Sequence, residues 1–367
     1  ALPPDSTAAP RLAQLNRTHG YTPLPPGIVD LHRLADQFPV AATLTARTPA
    51  TARQYDPASI TPECVSEAHV ILDNAPRLTA GTTAFSTTEI AYQYRLESPA
   101  SLAGQLAGLV ARLPAADAAS TRLLELSFGM RVGALRDFLR EKAAAIVENP
   151  YVCEHLQDIN SSAESSLAQL DQPMPPFVNN FRGLRISLSE IMLDGESIPA
   201  DARGQLALHV EQPEMFVGMA QMFLPDLSTL NLAPGGDPVQ IPAGLIPLPG
   251  LVAFAAMSSD AIGLSIGAGE EAGLQNFLKQ KPGPEGTFLS ASYDTAAYLE
   301  YSDRMVAPVP IDDPAAADGG ERAETGAVNA IGTAVREAYE DMADRSHTTL
   351  QFGPDGLVID ARVTFKP

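Results

Sequence analysis

The chain has 367 residues, 45% of them hydrophobic and 19% charged, enough to bury a sizeable core and too apolar for a disordered chain. Its formal net charge of −20 opposes nucleic-acid phosphates and anionic headgroups, so no nucleic-acid partner is expected. No apolar run reaches the ~20 residues of a membrane-spanning helix, and with no Trp and 6% aromatics the core is read as Ala, Leu, Val and Ile.

Residues 1–62 carry Pro3, Pro4, Pro10, Pro23, Pro25 and Pro26, which deny helix interiors and sheet ladders. They read as an extended arm with one short helix at 28–37. The opening Ala1-Leu-Pro-Pro, without Met, fits a mature form left after signal-peptide removal. Cys64 and Cys153 are the only cysteines, and an even pair in an exported chain suggests one disulfide. Closing so long a loop contributes on the order of 4 kcal/mol in the chain-entropy model.

A first α+β repeat is placed at 63–180. Strands are expected at 68–72 and 83–96. Ser98 then caps a helix with Pro99 at its first position and Leu102, Leu106, Leu109, Val110 and Leu113 on its apolar stripe. A strand at 123–128 and a helix at 132–147 follow. A second repeat is placed at 181–305. Its alternating strand at 184–193 turns at Asp194-Gly195 and returns at 205–211. Pro213 opens a helix, a Pro/Gly-rich insertion spans 227–249, and a hairpin pairs 251–257 with 261–266. A helix at 270–279 and a strand at 288–293 close the unit. Residues 306–367 comprise an acidic loop (306–320), a helix (321–344) and a hairpin, 348–352 with 357–365, around Gly-Pro-Asp-Gly. That hairpin is expected to complete a sheet begun earlier.

The repeat reading rests on two pairs of windows. Tyr94-Arg-Leu-Glu-Ser-Pro-Ala-Ser-Leu-Ala-Gly104 recurs as Leu208-His-Val-Glu-Gln-Pro-Glu-Met-Phe-Val-Gly218, and Leu126-Ser-Phe-Gly129 recurs as Leu264-Ser-Ile-Gly267. The expected fold is therefore α+β: an internally duplicated antiparallel sheet, helices packed on one face, and the Pro-rich arm.

No reactive constellation emerges. Gly267-Ala-Gly-Glu-Glu-Ala-Gly273 lies between a strand and a helix, but Glu270 and Glu271 sit where a phosphate would, so it reads as a turn. Cys153-Glu-His155 is too sparse for a four-ligand metal site. Ser127 and Ser265 lie in strands and not on a nucleophile elbow. Asp312, Asp313, Asp318, Glu321 and Glu324 lack the spacing of a calcium loop. No catalytic residue, metal or cofactor is expected.

One cluster points elsewhere. Met215, Phe216, Met219, Met222 and Phe223 on the Pro213 helix, with Leu245, Leu248 and Phe254, could line an adaptable apolar groove. The leading expectation is a non-catalytic extracytoplasmic protein of a bacterial envelope, a binding or scaffold module. Its partner would be a protein or an apolar small molecule. The alternatives are a carrier of a lipid or other apolar ligand, and an unrecognised hydrolase.

Overall fold

The computed structural model describes residues 8–21, 26–36, 60–193, 199–223, 225–246, 251–299 and 340–367. Twelve strands form one antiparallel sheet. They are β1 (Gly27–Asp30), β2 (Arg77–Phe85), β3 (Glu89–Glu97), β4 (Leu124–Gly129), β5 (Phe181–Leu193), β6 (Pro199–Val210), β7 (Val239–Gln240), β8 (Ala253–Met257), β9 (Ala261–Ile266), β10 (Thr287–Asp294), β11 (Ala343–Gly353) and β12 (Gly356–Phe365). Their order is β1-β2-β3-β12-β11-β10-β4-β5-β6-β9-β8-β7. The closing hairpin β11–β12 does complete the sheet, standing between β3 and β10 and joining early strands to late ones.

The helices are α1 (Ala8–His19), α2 (Pro62–Leu72), α3 (Ala100–Ala107), α4 (Val132–Glu148), α5 (Gln157–Leu170), α6 (Pro176–Asn179), α7 (Pro213–Phe223) and α8 (Glu271–Leu278). Four expectations need correction. Residues 68–72 belong to α2, because the Thr61 hydroxyl accepts the Cys64 N–H and Pro62 pre-sets the first turn, overriding the β-branched Val70 and Ile71. The strand expected at 83–96 is a hairpin, β2–β3, turned at Ser86, whose hydroxyl accepts the N–H groups of Thr88 and Glu89. The helix after Pro99 ends at Ala107. Residues 111–117 instead cross the sheet, with Ala111 N–H on Gly129 O (3.3 Å) and Ala116 N–H on Ser290 Oγ (2.8 Å). The helix expected to reach 344 gives way at Ala343, where β11 begins. Most of that helix and the acidic cluster 312–324 lie outside the described residues.

Within the expected arm, α1 accommodates Pro10 in its first turn, where an N–H would be unsatisfied anyway. Strand β1 pairs with β2 at the sheet edge, and residues 31–36 are helical.

The covering layer fits closely. Leu274, Phe277 and Leu278 of α8 pack on Ala207, Ala256 and Ala261. Gly263 lies beneath the same helix, where an added Cβ would sit 2.9 Å from Leu278. At the other end Tyr21 lies over Gly81, where a Cβ would meet the ring at 2.4 Å. Helix α4 packs against α5, and this pair is tied to α2 by the bridge between Cys64 and Cys153 (Cα–Cα 4.7 Å). Glu67 of α2 accepts the N–H groups of Val152 (2.7 Å) and Cys153 (2.9 Å) beside it.

Candidate functional site

Directly paired residues in an antiparallel sheet project to the same face. One row of such partners runs Ala80, Tyr94, Ile359, Leu350, Leu289, Phe128, Leu184, Leu208, Ile262, Met257, across ten strands. The next row on that face runs Thr82, Tyr92, Ala361, Thr348, Ala291, Leu126, Ile186, Leu206, Leu264, Ala255. Neither row holds a charged side chain. At ~4.8 Å per strand the rows extend roughly 40 Å.

The opposite face carries Gly81, Gln93, Asp360, Thr349, Ser290, Ser127, Arg185, Ala207, Gly263 and Ala256 in the matching row. This small and polar face is the better covered. In β5, Gly183, Arg185 and Ser187 are buried while Leu184, Ile186 and Leu188 are only half-buried; β6 and β9 repeat the pattern. Large aliphatic side chains thus line the less protected side, with Phe128 36% and Tyr94 42% exposed. The apolar face closes at one margin, where Met257 and Leu230 are buried and Gly235 N–H bonds Met257 O (2.8 Å).

Polar groups on the covered face are held among themselves. Glu270 accepts from Arg122 Nη1 on both oxygens (2.9 and 2.8 Å) and from Ser189 Oγ (2.6 Å), so the Gly267–Gly273 turn is built around a carboxylate. Arg185 donates to Phe277 O (2.8 Å) and to Gln280, and its guanidinium lies 4.2 Å from the Phe277 ring centroid. Burial lowers its pKa to about 10, which leaves it charged at neutral pH. His209 is held to about 4 by burial first and by the Arg185 charge second, so it is neutral.

The residues singled out from the sequence are dispersed. Met222 and Phe223, 77% and 82% exposed, stand out from the end of α7, and Met215 is also exposed. Phe216, Met219 and Leu245 are half-buried. Phe254 pairs with Ser265 and so faces the covered side. Leu248 lies outside the described residues. Cys153 is taken up by the disulfide, and Ser265 is fully buried with no partner for its hydroxyl among the described residues. Sequence reasoning missed the open face, although its signal was present as alternation in residues 184–188, 204–209 and 261–266. No helix of the described residues is long and apolar enough to cross a membrane. Compared with protein-family models, curated proteins and solved structures, the chain matches none.

Proposed function

We propose that this chain is a non-catalytic binding protein that holds an apolar ligand, a lipid or another molecule with long hydrocarbon chains, on the open face of its sheet. The observation that carries the reading is the uncharged double row of partners across ten strands, set on the less covered side. Contiguous apolar surface of this extent marks a binding site in a soluble domain. A hydrocarbon occupant suits it better than a folded partner. Protein interfaces interleave about one hydrogen bond per 100–200 Å² with their apolar core, and in these rows Thr82 is buried, which leaves Thr348 and the Tyr hydroxyls. The net charge of −20 favours uncharged or zwitterionic headgroups over anionic ones. The Cys64–Cys153 bridge accords with an oxidising, extracytoplasmic compartment.

The test is displacement of a fluorescent fatty-acyl probe from the full chain. Probe binding is expected, with affinity falling at least about ten-fold in Ile186→Asp and Leu206→Asp, since a carboxylate in an apolar contact costs more than 1.4 kcal/mol. Unchanged affinity in both variants would refute the reading. So would a ligand-free chain in which Phe128 and Tyr94 resist oxidative footprinting. A second copy, seen by light scattering, would then occupy the face.

A further inference from the structure

Helix α1 does not seal the strands beneath it. Gln14 and Thr18, like Leu15 and His19, stand four residues apart and share one helix face. Between that face and strands β1–β3 lies a cavity of about 240 Å³, smaller than the roughly 300–1,000 Å³ of pockets for drug-sized molecules. Asp30, Arg77, Thr79 and Glu97 form its polar floor, with Ile28 paired to Thr79 beside them. Thr79 precedes Ala80 of the apolar row, so the cavity lies on the opposite face of the sheet from that row. Its polar groups are only partly matched to one another. Arg77 gives Nε and Nη2 to one oxygen of Glu97, Oε2 (2.7 and 2.6 Å), and Asp30 Oδ1 accepts the Arg33 N–H (3.2 Å). The side chains of Gln14, Thr18 and His19 make no hydrogen bond to another described residue. Thr79 is 1% exposed and its hydroxyl also has no partner among the described residues. A buried hydroxyl of this kind calls for a bound water or a ligand.

We infer that the cavity under α1 binds one small neutral polyhydroxylated molecule, a monosaccharide or a polyol of similar size. Each hydroxyl of such a ligand both donates and accepts, and the lining supplies both roles. Gln14 and Arg77 donate, Asp30 and Glu97 accept, and the two threonine hydroxyls do either. Leu15 and Ile28 offer the C–H surface of a sugar ring an apolar contact. The charges select the same class. A phosphate or carboxylate would meet Asp30 and Glu97, whereas a lone ammonium would meet Arg77. His19 adds no charge, because burial first and the Arg95 charge second lower its pKa. The site is independent of the apolar face and stands or falls without it.

Saturation-transfer difference NMR of the full chain with D-glucose, D-galactose, D-mannose and glycerol at millimolar concentration tests this. Transfer to at least one of them is expected. For that ligand, the calorimetric affinity is expected to fall at least about ten-fold in Asp30→Ala, since bonds to a charged acceptor are the stronger ones. A smaller loss is expected in Gln14→Ala and Thr79→Val, and none in Lys142→Ala on α4. Gln14 is exposed, so its variant reports on binding without threatening the fold. Transfer to none of the four, transfer only to ethanolamine or acetate run alongside, or unchanged affinity in both Asp30→Ala and Gln14→Ala would overturn the proposal.

Discussion

His209 shows what the covered face asks of single residues. Its Nε2 has no partner among the described residues, and burial holds the ring neutral down to about pH 4. The unfolded chain protonates the same ring near 6.5, so between those values the unfolded state binds more protons. Stability is therefore full above pH 6.5 and is lost as pH falls toward 4. By this linkage His209 alone removes about 2 kcal/mol between pH 7 and pH 5. Urea unfolding across that range is expected to show the loss in the wild type and a flatter profile in His209→Gln. Identical slopes would contradict the assignment. Steric fit sets the other constraint at this scale. Gly81→Ala pushes a methyl into the Tyr21 ring, and a loss of about 1–3 kcal/mol by denaturant midpoint is expected, recovered in part by pairing it with Tyr21→Ala.

At the scale of elements, α2, α4 and α5 are joined by a covalent bond as well as by packing. Reducing Cys64–Cys153, or replacing both with Ser, is expected to cost about 4 kcal/mol by the loop-entropy estimate, with hydrogen exchange rising first in α2 and around residues 150–156. Unaltered exchange there would mean that packing and Glu67 alone hold the lobe. Elements in which spacing and turn chemistry agree were legible in the sequence: β4, α4, the β8–β9 hairpin and β12 all fall within two residues of expectation, whereas β11 begins at Ala343, five residues before the expected start. The strand expected at 68–72 failed because β-branching was weighed above the Thr61-Pro62 cap.

The candidate site was harder to read for a physical reason. Alternation in Leu184-Arg-Ile-Ser-Leu separates two faces but does not say which one the helices cover. The usual inference, apolar side inward, is the opposite of what this sheet does. Helix α8 needs the close approach that Ala207, Ala261 and Gly263 allow, which sends the leucines and isoleucines to the other side. Methionines on one helix were the more visible sequence signal, yet they lie apart from the rows that form the face.

Taken whole, the molecule is a wide sheet whose stability comes from one side and whose unspent hydrophobicity lies on the other. Substitutions on the two faces should separate accordingly. Ala207→Asp is expected to abolish folding, whereas Ile186→Asp leaves a cooperative unfolding transition while weakening apolar probes. Both outcomes are read by near-UV circular dichroism alongside the binding assay. The central claim is tested most directly by native mass spectrometry of the full chain purified without detergent and then mixed with zwitterionic lipid. The expected result is one lipid retained per chain by the wild type and lost in Ile186→Asp. A bare monomer mass at saturating lipid would contradict it.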